Sequence, residues 1–404
     1  MTGKENKPIS VKDARERILK SIKPINKTEK IDIKYSLNRI LSKSIKAKRT
    51  QPAFDTSAMD GYATKKNYLK VIPKYLDIIG ETKAGDKNKF KLKKDQVVRV
   101  FTGSFLPEGC DKVILQENCE KNKDKVYVKE VNTESYVRKK GEDFFQNDRC
   151  ILKSSIMDFG NIALAGAMNY KLIEVYRKPK IGIIANGNEL FEPGNKNQLV
   201  KQPASTKPSI ISSINAWGGD AVDLGIAKDT VNSLKSKLKK GLSCDMIVTI
   251  GGASIGDYDL VYKSLKEMNF KLNFWKIKMK PGKPLMFGYL ENKPIIGLPG
   301  NPVSSMVCAR LFLKPSIYKL QNHNYNENIF NFRLGKDLPK NNWRESYIRG
   351  YISKNTNNQI VAMPISNQDS SSLSSYANAD LLIIREPNAR KIKKHSLVKA
   401  IILN

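Results

Sequence analysis

IVTIGGASIGDYDLV, residues 247–261, decides the fold: an apolar run stops in two glycines, and a helical stretch follows. Two neighbouring segments repeat the pattern, KMKPGKPLMFG at 278–288 and IIGLPGNPVSS at 295–305. A buried parallel strand ending in glycine exposes backbone N–H groups at the carboxyl edge of its sheet, where a helix start adds partial positive charge. That arrangement binds anions before any side chain is counted. Lys276, Lys278, Lys280 and Lys283 supply cations beside it, and Asp257 and Asp259 supply the oxygen donors a hard divalent metal needs. The implied chemistry is phosphate or another oxyanion together with magnesium.

From residue 179 onward, KIGIIAN, SIISSINAWG, AVDLGIA, VNSLKSKLKKGL, DMIVTI and LVYKSLKEM alternate strand and helix patterns. This texture predicts βαβ units and a parallel sheet covered on both faces. Gly251 and Gly252 form the first anion-type turn, with Ser254 as a hydroxyl donor. Gly297 to Gly300 form the second, followed by Asn301, Pro302 and Ser304, where Pro302 is preset for a first helical turn. Glu189 follows KIGII and Asp229 follows AVDLGIA, so both are expected at the same edge. Glu189, Asp229, Asp257 and Asp259 are therefore the candidate metal ligands.

Outward from this core, 10–22 reads as an amphipathic helix with a serine cap. Short alternating runs at 97–103, 112–117 and 125–131 predict a small β-rich lobe, and 156–176 a helix leading into a strand. The run VSSMVCARLFLKPSIYKL is helical, with Pro315 expected to kink or break it. Strands return after the asparagine-rich stretch QNHNYNENIFN, predicting a C-terminal barrel. The expected organisation is a helix in 1–26 packing on the linker or the αβ domain, a linker domain from 27–50 and 142–178, a β-rich lobe at 51–141, an αβ domain at 179–325 and a β-barrel at 326–404.

With 404 residues and 40% apolar composition, the chain can build several cores. No apolar run approaches bilayer-spanning length, so no membrane association is expected. The five cysteines are odd in number and never paired as C-x-x-C, which argues against a disulfide framework or a zinc site and suits a cytoplasmic protein. The net charge of +32 is spread along the chain without any nucleic-acid motif. No specific nucleic-acid partner is expected; the charge would draw a polyanionic small molecule. The two histidines, His323 and His395, lie in polar segments, leaving carboxylates, lysines, hydroxyls and backbone amides as tools. Those groups suit positioning and charge stabilisation of anionic group transfer.

PAFDTSAMDGYA, RVFTGSFLPEGCDKVILQE, VRKKGED, GNEL, GGASIGDYDLV, FWKIKMKPGKPLMFG and GLPGNPVSS occur in order between about 50 and 310. Together they resemble the molybdenum insertases of the MoeA type, the molybdopterin molybdenumtransferases. RESYIRGY and QDSSSLSSYANAD extend the resemblance into the C-terminal region. It implies a multidomain α/β plus β fold: a central doubly wound αβ molybdopterin-binding domain, a β-rich lobe near the N-terminus and a small C-terminal β-barrel. It also implies a homodimer whose active site combines the αβ domain of one subunit with the β-rich lobe of the other.

The implied reaction takes adenylylated molybdopterin and molybdate to molybdenum cofactor and AMP, with Mg²⁺. By motif, the resemblance assigns Asp60, Glu189, Asp259, Lys276 and Lys280 as catalytic. Substrate contacts fall on Thr102, Arg138, Asp143, Asp229, Gly251, Gly252, Ser254, Lys283, Pro299, Gly300, Pro302 and Arg349. A molybdopterin adenylyltransferase and recipient molybdoenzymes are the implied partners. Where the family usually reads T-G-D-E-L, this chain has Asn186, Gly187, Asn188, Glu189 and Leu190; where it reads Ser-Asn, Ser205 and Thr206 stand. The alternative reading is a molybdopterin-binding scaffold with weakened catalysis.

Overall fold

The computed structural model describes residues 7–86, 90–195, 200–251 and 260–403. The chain divides into two compact units, one formed by Met1–Glu29, Asn38–Ile40 and Val175–Asn404, the other by Lys30–Leu37 and Leu41–Glu174.

The first unit is built on a six-stranded sheet. Its strands run Asp220–Ala227, Lys180–Asn186, Met246–Ile250, Lys293–Leu298, Met286–Leu290 and Lys271–Trp275 from edge to edge. The first four are mutually parallel; Met286–Leu290 alone runs antiparallel to its neighbours on both sides, so the expected parallel sheet is a mixed one. The antiparallel strand arises at a tight hairpin, where Glu291 and Asn292 both adopt positive φ (48° and 65°). Such turns match the twist of their flanking strands.

Strand residues alternate between two cores, as a sheet covered on both faces requires. Ile181, Ile183, Val248 and Ile296 pack with Ile210, Ile214, Val303 and Ile317 of the helices on one face. Ile184, Ile247 and Ile295 pack with Leu234, Leu238, Val261 and Leu265 on the other. The N-terminal helix Val11–Ser21 adds Val11, Ala14 and Ile18 to the first of these cores. Its start is fixed by the Ser10 hydroxyl, which accepts from the Asp13 amide at 3.0 Å. Of the two expected packing partners for this helix, the αβ domain is the one it takes.

Pro315 does not break its helix. The chain stays helical from Pro302–Cys308 through a π-helical turn at Ala309–Leu313 into Lys314–Leu320. The π turn sits directly ahead of the proline, whose ring and missing N–H disrupt the regular ladder of the preceding residues.

The C-terminal strands Glu345–Lys354, Ile360–Pro364, Ile329–Leu334, Leu397–Ile402 and Leu381–Arg385 pair in that order, and the last pairs back to the first. The result is a closed five-stranded barrel around Leu334, Ala362, Leu381, Ile383, Val398 and Ala400. A sixth short strand, Met279–Lys280, joins it from the αβ region, pairing in parallel with Glu345 and Ser346.

The second unit carries the N-terminal β-rich region. Its six-stranded sheet has the order Lys112–Leu115, Gly61–Thr64, Gln96–Val100, Lys74–Thr82, Lys125–Val128 and Cys119–Asn122. Tyr62, Leu76, Val97, Ile114, Val126 and Val128 form one core, and Ala63, Val98, Val100 and Val113 another. Helix Phe159–Ala167 begins at Asp158, whose carboxylate accepts from the Asn161 amide at 2.7 Å. All five cysteines are free.

Candidate functional site

Register brings the strand ends together. Asn186 is paired with Ala227, Ala185 with Ile250, and Ile250 with Leu298, so four parallel strands finish at one edge. The turns that follow them must meet there. The Gly251 amide donates to Leu298 O at 3.2 Å. A side chain at Gly251 would lie 2.8 Å from Asn186 O, and one at Gly300 would lie 3.5 Å from the Gly251 Cα. Gly252, Ser254, Asp257 and Asp259 lie outside the described residues.

Glu189 and Asp229 stand at this edge, as expected. The Asp229 carboxylate accepts from Asn186 Nδ2 at 3.1 Å and from the Asn188 amide at 2.9 Å, while the Asp229 amide donates to Asn188 Oδ1 at 3.0 Å. The Glu189 carboxylate folds back over Gly187. Among the described residues no group of three or more His, Cys, Asp or Glu side chains converges as a metal cage. Glu189 still offers the hard oxygen donor that magnesium takes, since that ion commonly uses one or two carboxylates and completes its shell with water and phosphate.

The lysine segment is held from several directions. The Lys276 amide donates to Leu285 O at 3.0 Å and the Ile277 amide to Lys283 O at 2.9 Å, closing the K-P-G-K-P turn. On one flank the Lys278 amide donates to Ile9 O at 2.7 Å; on the other the Glu345 amide donates to Lys278 O at 2.9 Å. Lys280 borders a cavity of about 480 Å³, shared with Lys336, Lys340, Ser346 and Arg385. The Lys283 ammonium lies 5.9 Å from the centre of the Trp343 ring.

Pro299 and Pro302 flank a turn tied to the barrel. Asn301 Nδ2 donates to Ser370 Oγ at 2.9 Å, the Val303 amide donates to Ser370 O at 3.1 Å, and the Ser305 hydroxyl donates to Pro299 O. Arg349 is 2% exposed and spends its guanidinium on Asp369 O at 3.0 Å and Asn367 O at 3.1 Å. It thus braces the loop that delivers Ser370 to the glycine turn.

In the second unit, Asp60 accepts from the Thr102 amide at 2.7 Å and its hydroxyl at 2.9 Å. The amide first, then the hydroxyl, hold its carboxyl below the ordinary range. The Gly103 amide donates to Ser57 O at 2.8 Å, Ser57 pairs with Val137 and Thr56 with Arg138. Asp60, Thr102 and Arg138 therefore sit on three interlocked loops. Asp143 is exposed two residues beyond Gly141, and its amide donates to Gln51 O at 3.1 Å. Asp55 accepts from Lys139 Nζ and the Lys140 amide, both at 2.8 Å. Burial pushes its carboxyl up, but these bonds outweigh burial and hold it low. Beside this knot opens a cavity of about 1370 Å³, walled by Phe54, Asp55, Gly103, Phe105, Lys139 and Lys140.

Sequence reasoning named Asn188 only as a departure from the family pattern and gave no role to Ser370 or Lys207. Lys207 is 3% exposed and donates to Glu192 at 2.5 Å and to Asp223 at 2.8 Å. Burial pulls its ammonium down, yet the two carboxylates win and raise it. A lysine within a helix pattern reads as solvated, so only an acid three residues after Glu189 hinted at this anchor.

Comparison with known proteins agrees with this geometry along nearly the whole chain. Residues 9–168 match the MoeA N-terminal region (domains I and II), 182–319 a probable molybdopterin binding domain, and 331–403 the MoeA C-terminal region (domain IV). The chain is 29% identical to a molybdopterin molybdenumtransferase of Haemophilus influenzae, over 94% of both proteins. It is 28% identical to one of Bacillus subtilis, over 98% of this chain and 94% of that protein. Among solved structures, the molybdopterin biosynthesis moeA protein of Pyrococcus horikoshii OT3 superposes with a TM-score of 0.81 at 25% identity, covering 98% of this chain and all of that one. With three consecutive family regions in the right order on the matching fold, the chain belongs to the MoeA family.

Proposed function

We propose that this protein is a molybdopterin molybdenumtransferase that takes adenylylated molybdopterin and molybdate to molybdenum cofactor and AMP. The observation that carries the reading is the meeting of four strand ends with Gly251, Gly300, Glu189 and Asp229 at one edge, in a chain similar throughout to proteins of that name. Backbone amides at this edge suit phosphate oxygens. Lys276, Lys280 and Lys283 neutralise the charge of molybdate and of the pyrophosphate link. Gly251, Pro299, Gly300 and Pro302 shape the cradle, and Gly252 and Ser254 are the further substrate contacts assigned by motif.

Magnesium would be held by Glu189 with Asp257 and Asp259, and would supply charge neutralisation at the phosphates. The protein's own residues do the rest by proximity and electrostatics. Asp60, kept ionised by Thr102, is the group assigned to relay the protons of the two dithiolene thiols to a molybdate oxygen, which leaves as water while the two molybdenum–sulfur bonds form; Arg138 and Asp143 contact substrate from the same lobe. The enzyme works as a homodimer in which this lobe of one subunit serves the glycine edge of its partner. Arg349 contributes by bracing the loop that carries Ser370. Five free thiols suit a reducing cytoplasm. A molybdopterin adenylyltransferase supplies the substrate and molybdoenzymes receive the product.

The test is incubation of the purified chain with adenylylated molybdopterin, Mg²⁺ and molybdate while AMP and metal-bound pterin are followed together. Both should rise in step, and Asp60→Asn should abolish both while pterin binding stays measurable. Pterin binding with no AMP release by the unaltered protein would overturn the assignment.

A further inference from the structure

We propose that Asp229 is a positioning residue and not a magnesium ligand: acting through Asn186 and Asn188, it clamps the turn that presents Glu189. The role of Glu189 rests on the function proposed above; the clamp itself rests on geometry alone. Asp229 and Asn188 exchange two bonds, Asn188 N to Asp229 Oδ2 at 2.9 Å and Asp229 N to Asn188 Oδ1 at 3.0 Å. A third, from the buried Asn186 Nδ2 to Asp229 Oδ1 at 3.1 Å, occupies the other carboxylate oxygen. The Gly187 amide adds a bond to Ala227 O at 3.2 Å. Together they close a ring between the turns that follow two neighbouring parallel strands.

Both Asp229 oxygens thus face the positive ends of N–H dipoles aimed from the Asn186–Asn188 turn. A carboxylate so employed is a poor first choice for an ion that demands near-ideal octahedral placement of its ligands. What the clamp holds is specific. Gly187 has φ of 154°, and a Cβ there would lie 2.5 Å from either carboxylate oxygen of Glu189. The glutamate head therefore rests on a bare Cα, in a place it keeps only while the turn is fixed. An aspartate at 188 would keep the acceptor that meets the Asp229 amide; an alanine would not.

The experiment compares the full-length protein with D229A, N188A and N188D, using amide hydrogen exchange of peptides spanning 186–190, calorimetric Mg²⁺ titration and steady-state AMP release. D229A and N188A should each speed exchange at least tenfold. Mg²⁺ affinity should fall to the same extent in D229A and N188A, because both release the same Glu189 head, and N188D should recover it. AMP release should lose more than tenfold in kcat with the pterin KM within threefold, and N188D should restore the behaviour of the natural chain. Loss of Mg²⁺ affinity by tenfold or more in D229A with unchanged exchange would overturn the proposal, as would exchange in N188A equal to that of the natural chain. If the natural chain neither binds Mg²⁺ nor releases AMP, the functional reading fails while the exchange data still decide the clamp.

Discussion

Gly61, directly after Asp60 in the segment MDGYA, is the position where a single methyl group should do most harm. It begins the strand Gly61–Thr64, which pairs with Gln96–Val100 on one side and Lys112–Leu115 on the other. A Cβ at Gly61 would lie 2.0 Å from Ile114 O and 2.9 Å from Ile114 C. Real contacts of that kind stay above 3.0 Å, so Gly61→Ala must move one strand by about 1 Å. The obstacle is backbone, and no rotamer change relieves it. Overpacking of this type costs about 1–3 kcal/mol. Opening the first rungs of the ladder, each bond contributing about 0.5–1.5 kcal/mol, brings the penalty to about 3–5 kcal/mol. Because the protein has several domains, a single melting temperature is a poor reporter. Hydrogen exchange on the whole chain is better: at about 1.4 kcal/mol per factor of ten, peptides covering 61–64 and 112–115 should lose protection by roughly 10²–10⁴-fold. Peptides in 246–250 should be unchanged. Asp60 rides on the displaced strand, so AMP release should fall as well. Protection within threefold of the natural chain would refute the steric argument.

Lys207→Ala should destabilise the αβ sheet by about 2 kcal/mol, since it removes a buried ammonium from two carboxylates that are themselves half-exposed and can return to water; urea unfolding followed by Trp217 fluorescence measures it. Burial raises every cysteine thiol above its ordinary range, Cys110 to about 12 and Cys119 to about 11, so mass spectrometry after iodoacetamide at pH 8 should find all five slow to react until the protein unfolds. The carboxyls of Asp55 and Asp60 are depressed on folding, so the unfolded chain binds their protons first as the pH falls. Their contribution is full above the ordinary aspartate range and lost as pH drops through the lowered values; circular dichroism between about pH 5 and 2 should show a shallower acid transition for Asp55→Asn.

How much of this was readable in the chain depended on distance along it. The glycine turns at 251 and 300 were legible because a strand, its glycine and the next helix are consecutive. The alternating runs of the αβ region announced a sheet covered on both faces for the same reason. The clamp between Asn188 and Asp229 joins positions 41 residues apart, and the Asn301–Ser370 bond 69. Neither pairing leaves a local periodicity, so neither could be read. The antiparallel turn at Glu291 and Asn292 was hidden because neither residue is glycine, although asparagine tolerates the left-handed conformation. Pro315 misled because its helix-breaking tendency was absorbed by a π turn.

The lysine strip from 276 to 280 is gripped by Ile9 on one flank and by the first barrel strand on the other. It belongs to no single module: the stretch at Ile9 and the barrel strand that starts at Glu345 act as two rails, and the lysine backbone is fixed between them. Loss of either rail would therefore be felt along residues 276–280 rather than at the periphery.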